Sequence, residues 1–127
     1  MTKRGQIYLC KICGNLIEVL HEGEGELVCC GEPMILQAEQ ISDLEFKEKH
    51  VPIIEELNDS YIIKIGEELH PMTEEHYIEW IEVQINDKVG KKFLKPGDEP
   101  LAQFFLKGKV KVIRAYCNAH GLWAKYL

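Results

Sequence analysis

The stretch YIEWIEVQI, residues 77–85, alternates apolar and polar side chains, but in two phases: Ile78 and Trp80 fall on one parity, Ile81, Val83 and Ile85 on the other. A period of two marks a strand, and β-branched and aromatic residues suit a pleated, half-buried surface. The change of phase near Trp80 and Ile81 predicts either a β-bulge or a strand covered on both faces. Its apolar residues read as core, not as a cofactor stripe. Similar segments follow outward from it: SYIIKIG (60–66) after the turn LNDS, KKFL (91–94) between NDKVG and KPGDEP, AQFFLKG (102–108), KVKVIRAYC (109–117) and LWAKYL (122–127). Short strands at roughly ten-residue spacing predict an all-β sandwich.

The N-terminal part reads differently. Residues 6–35 hold two short strand-like pieces, QIYLC and LIEVL, separated by the turn signals Gly14-Asn15 and GEGE. They carry too little apolar surface to fold without a staple. Residues 36–50, LQAEQISDLEFKEKH, are charged and aperiodic and read as a connecting segment and surface loop. The expected organisation is a small domain over 1–36 and a larger one over 37–127.

With 15 basic and 21 acidic residues the chain has a net charge of −6 and a pI near 5.4. No basic stripe offsets this, so nucleic-acid binding lacks its main driving force. No apolar run approaches the ~20 residues of a membrane-spanning helix, and the opening MTKRGQIYLC has no apolar stretch of the kind an export signal needs, so the expected compartment is the cytoplasm. In a reducing compartment five cysteines, an odd number, point to metal ligation or thiol chemistry before disulfides.

Four of the five lie in the first 30 residues. Cys10 and Cys13 form a C-x-x-C knuckle followed by Gly14, whose freedom at positive φ lets backbone amides fold back toward sulfur. Cys29 and Cys30 are adjacent, so only an unusual backbone path can turn both onto one ion, and the resulting four-sulfur site should depart from a regular tetrahedron. Zinc and iron suit such a site equally well. A vicinal Cys29–Cys30 disulfide is disfavoured by ring strain and by the compartment. His21, between the two halves, reads as a solvent-facing turn residue.

Four of the five histidines lie between positions 50 and 120: His50 in KHVP, His70 in LHPM, His76 in EEHY and His120, with Cys117, in CNAHG. Each alone is an ordinary loop histidine, but all lie at or near predicted strand ends, where a sandwich brings distant loops together. If they converge, four imidazoles and a thiolate exceed a structural zinc set and include no carboxylate for magnesium or calcium. Iron then fits better, with four imidazoles in a plane, an axial thiolate and a sixth position open to a small oxygen species.

Taken together, YLCKICGNLIEVL and GELVCCGEPM with EKHVP, HPMTEEHYIEWIEV, FLKPGDEP and YCNAHGLW resemble the desulfoferrodoxins, the two-iron class of superoxide reductases, over nearly the whole chain. The resemblance implies a desulforedoxin-like N-terminal domain with one iron on Cys10, Cys13, Cys29 and Cys30. It further implies an immunoglobulin-like seven-stranded sandwich with a second iron on His50, His70, His76, His120 and axial Cys117. Glu48 and Lys49 would flank the open position. The implied activity is one-electron reduction of superoxide to hydrogen peroxide without oxygen release, with a rubredoxin-type donor and a homodimeric assembly. Two other readings carry different signatures: a rubredoxin-type electron carrier whose second site binds no small anion, and a colourless zinc-stapled binding module.

Overall fold

The computed structural model describes residues 1–42 and 50–127. It is all-β, with no helix among the described residues, and divides into Met1–Ala38 and Glu39–Leu127.

In the first unit, β1 (Ile7–Leu9) pairs with β2 (Leu16–Glu18) and β5 (Ile35–Leu36) in an antiparallel sheet, and β3 (Val28–Cys29) pairs with β4 (Glu32–Pro33). Five strands of two or three residues bury little, with Ile7, Cys10 and Val19 its buried apolar side chains. The unit therefore depends on a staple, as its size predicts.

The second unit contains β6 (Pro52–Glu56), β7 (Tyr61–Ile65), β8 (Ile78–Ile85), β9 (Lys88–Phe93), β10 (Leu101–Phe104), β11 (Val112–Cys117) and β12 (Gly121–Tyr126). A three-stranded sheet in the order β10-β7-β6 faces a four-stranded sheet in the order β12-β11-β8-β9, giving the seven-stranded sandwich. Ile63, Ile65, Ala102 and Phe104 from the first sheet meet Ile78, Ile81, Val83, Ile85, Ile113, Ala115 and Trp123 from the second in one core.

The two phases of residues 77–85 have a single cause. Tyr116 pairs with Trp80, but Cys117 pairs with Ile78, so Glu79 is the extra residue of a bulge. Past it, the odd residues Ile81, Val83 and Ile85 join Ile78 in the core, and Trp80 and Glu82 turn to the opposite face. That face is covered as well: Trp80 stacks on Tyr116, Lys91 Nζ lies 4.3 Å above the indole, and Glu82 is buried against Arg114. Both sequence explanations hold, with the bulge one residue ahead of the apparent phase change.

Two strand assignments are corrected. NDKVG is not a loop: Asn86-Asp87 alone makes the turn, with Asn86 at φ 51°, and β9 begins at Lys88. A two-residue hairpin of this kind needs positive φ, which asparagine tolerates better than most residues. β6 was not expected, since PIIEE carries no clean alternation; it opens on Pro52, where a missing N–H is tolerated. The segment read as a plain connector is in part a strap. Gln40 N donates to Leu122 O at 3.0 Å and Ala124 N donates to Gln40 O at 2.9 Å, a parallel bridge beside Trp123.

Candidate metal centres

Cys10 and Cys13 flank a tight turn in which Gly14 N donates to Cys10 O at 2.8 Å, and Gly14 sits at φ 87°. The adjacent pair is resolved by a second turn. Cys29 ends β3, opposite Glu32, and Cys30 with Gly31 forms a two-residue hairpin turn at φ 53° and 76°. Positive φ at both positions is the primed-turn geometry, and it swings the Cys30 side chain back toward Cys29.

The ligand atoms of Cys10, Cys13, Cys29 and Cys30 all lie within 4.8 Å of one another. Sγ of Cys13 is 3.6 Å from Sγ of Cys29, which is 4.0 Å from Sγ of Cys30. Four sulfurs at ~2.3 Å on one ion at tetrahedral angles stand about 3.8 Å apart, so the spacing suits a metal and its spread suits a distorted tetrahedron. Asn15 Nδ2 lies 3.8 Å from the Cys29 sulfur as a donor. The backbone N–H of Cys13 lowers the Cys10 thiol to about 7. Hydrogen bonding to Cys13 and then to Cys29 pushes Cys30 up to about 12, and Cys13 and Cys10 likewise raise Cys29. Four thiols this close cannot all ionise unless a cation joins them. His21 is exposed and stands outside the set.

The second group is assembled from loops. His50 precedes β6, His70 and His76 lie between β7 and β8, Cys117 ends β11 at the bulge, and His120 closes the β11–β12 turn. The four rings stand at the corners of a near-square. Centroids are 4.6 Å apart for His50 and His70, 4.7 Å for His70 and His76, 4.9 Å for His76 and His120, and 5.0 Å for His120 and His50. Each ring is steeply inclined to its neighbours, at 63° to 90°, and the His50–His76 distance of 6.4 Å exceeds every side, as a diagonal must.

Donor atoms of His50, His76, Cys117 and His120 lie mutually within 4.8 Å. Nδ1 of His120 is 3.2 Å from Nε2 of His50, close to the ~3 Å expected of two nitrogens held at a right angle on one ion. His70 completes the square of rings but stands outside that tighter set. Its Nδ1 lies 2.7 Å from the Pro71 carbonyl oxygen, which only accepts, so Nδ1 carries the proton and Nε2 keeps its lone pair for a metal. His50, His70 and Cys117 are buried, whereas His76 and His120 are half-buried.

Asn118, which the sequence reading passed over inside CNAHG, ties this corner together. Its Oδ1 accepts from Tyr77 N at 2.9 Å and its Nδ2 donates to Glu75 O at 3.3 Å, holding the segment that carries His76 to the turn that carries His120. Gln40, also missed, donates from Nε2 to His120 O at 2.7 Å. A short polar residue beside a ligand was the available signal for Asn118; Gln40 had none. Glu48 and Lys49 lie outside the described residues.

A seven-stranded sandwich with a square of imidazoles and a buried thiolate at its loop end, preceded by a four-thiolate unit, defines a two-centre metalloprotein of the redox type. The chain belongs to the desulfoferrodoxin family: the desulfoferrodoxin model matches residues 42–126 and the desulfoferrodoxin N-terminal domain model residues 2–36. It is 53% identical to a desulfoferrodoxin homolog of Archaeoglobus fulgidus over 97% of this chain and 98% of that one. The solved superoxide reductase of Treponema pallidum aligns at a TM-score of 0.79 and 25% identity, covering 94% of this chain and 96% of its own. A one-iron superoxide reductase of Giardia intestinalis aligns at 0.55 and 35% identity, covering 64% of this chain and 98% of its own. The two donor sets match the two iron centres of the family.

Proposed function

We propose that this chain is a superoxide reductase in defence against oxidative stress, acting at His50, His70, His76, His120 and Cys117. The observation that carries the reading is the square of four imidazoles with a buried cysteine in its tight donor set. Superoxide takes up one electron and two protons to give hydrogen peroxide, and no oxygen is released. Iron held by these residues would supply that electron, and an outside donor would restore it.

The residues have separate tasks. The four imidazoles, at the corners of a square, would hold the iron together with Cys117. Cys117 would donate electron density to that iron, as a cysteine thiolate does in haem enzymes. Lys49 would attract superoxide toward an otherwise acidic protein, and Glu48 would organise water for proton delivery or serve as a ligand to ferric iron. Cys10, Cys13, Cys29 and Cys30 hold the first iron, which staples the N-terminal unit. A rubredoxin-type protein donates the electron, the working assembly is a homodimer and the compartment is the cytoplasm. No helix among the described residues is long and apolar enough to cross a membrane.

The test is metal analysis followed by a pulse of superoxide under anaerobic conditions. One hydrogen peroxide per superoxide consumed, with no oxygen, is expected; oxygen release would make the reaction a dismutation and overturn the assignment. Azide should perturb the absorption of the second centre, which a plain electron carrier with a closed site would not allow.

A further inference from the structure

His70 is anchored through Nδ1 to the Pro71 carbonyl, His76 by its backbone to Thr73 and His120 by its carbonyl to Gln40. His50 lies outside every strand, yet its ring neighbours all three others. On its remaining side lies Trp123, with ring centroids 4.4 Å apart and planes 9° from parallel. The indole is fully buried. Its backbone is fixed on both sides, opposite Ala115 in the β11 ladder and beside Gln40 in the parallel bridge, so it is among the best-anchored walls near the site.

Given the metal site proposed above, we infer that Trp123 is a positioning residue for that site: its flat face sets the plane of the His50 imidazole and so aims the His50 lone pair at the metal. A nitrogen lone pair lies in the ring plane, so rotation of the ring about its long axis misdirects it without moving the residue. An aromatic surface parallel to the ring opposes that rotation. Groups that orient metal-bound histidines typically matter by about 10- to 100-fold in metal affinity or activity.

The test uses the iron-loaded full-length protein and a ferrous chelator, with the release of each iron followed through its own absorption. Trp123→Phe, which keeps a flat ring, should lose its second iron within about two-fold of the wild-type rate. Trp123→Leu, which keeps bulk but no flat face, should lose it at least about ten-fold faster. The four-cysteine centre should release iron equally in all three, reporting that the rest of the chain is intact. The charge-transfer band of the second centre should shift in the leucine variant and not in the phenylalanine variant. Equal release from the two variants would overturn the inference. If Trp123→Leu fails to fold, Trp123→Phe still decides: folded protein releasing the second iron about ten-fold faster than wild type would show that bulk, not a flat face, is what matters.

Discussion

Cys117 carries the heaviest single-residue consequence. It is fully buried, ends β11 and belongs to the tight donor set of the second centre. Serine is nearly isosteric, so Cys117→Ser should fold, but oxygen donates less density than thiolate. The expected outcome is loss of the sulfur-to-iron charge-transfer absorption and of most superoxide reduction; full turnover in that variant would refute the axial thiolate. Lys49 makes a smaller prediction of a different kind. A unit charge taken at ~6 Å from the open position contributes roughly 2–3 kcal/mol at an effective dielectric of ~20, much of it lost to salt. Lys49→Ala should therefore slow the bimolecular step about ten-fold at physiological ionic strength, and by more at low salt, and leave both irons bound; an unchanged low-salt rate would remove the steering role. Cys117 was legible in the sequence because a cysteine three residues from a histidine carries chemistry. Trp123 was read only as part of a strand, since nothing local separates a core tryptophan from one stacked on a ligand.

Among the elements, β8 shows what a sequence pattern can and cannot settle. Its two phases announced a bulge or a doubly covered strand, and Glu79 and the Trp80–Tyr116 stack supply both. What alternation did not reveal is that Glu82, on the outer face, is fully buried. It lies opposite Arg114 on one side and Lys91 on the other. Arg114 Nε is 2.7 Å from Oε2, Nη2 3.3 Å from Oε1, Lys91 Nζ 3.3 Å from Oε1, and Gln84 Nε2 donates to Oε2 at 2.9 Å. Burial pulls the Glu82 carboxyl upward, but Arg114, with Gln84 and Lys91, outweighs it, and the net shift is downward. A folded-state value below the unfolded one means that the ionised row stabilises the protein at neutral pH, and that this contribution is lost as pH falls through and below the ordinary carboxylate range. Glu82→Gln should lower the unfolding midpoint at neutral pH, since it takes from buried Arg114 the nearer of its two carboxylates and leaves Glu39, whose Oε2 lies 3.5 Å from Nη1. The gap from wild type should narrow in acid; a gap of constant size would show that the charge is not what matters. The two tight turns were half legible for a related reason. Asn86-Asp87 and Cys30-Gly31 follow the hairpin rule for positive φ, but a cysteine in the left-handed region is uncommon enough that only the fold could place it.

At the scale of the whole molecule, the fold class, the two-part organisation and the grouping of donors into a thiolate set and an imidazole set follow from composition and spacing. The meeting of His50, His76, Cys117 and His120 does not, because positions up to 70 residues apart share no local pattern. The two donor sets also belong to different units: the cysteine set falls within Met1–Ala38 and the second within Glu39–Leu127. The first unit, with its short strands and few buried side chains, relies on its metal; the second has a core of its own. Cys13→Ser removes one of four sulfurs from the first centre and touches nothing in the second. Iron content should fall from two to about one per chain, and the N-terminal unit should become sensitive to protease. A superoxide pulse should still yield hydrogen peroxide at close to the wild-type rate, as expected if the chemistry resides in one unit, in keeping with the one-iron relative from Giardia intestinalis. Loss of peroxide formation while the second centre keeps its iron would mean instead that the electron must pass through the four-cysteine site, and the first centre would then be a relay and not only a staple.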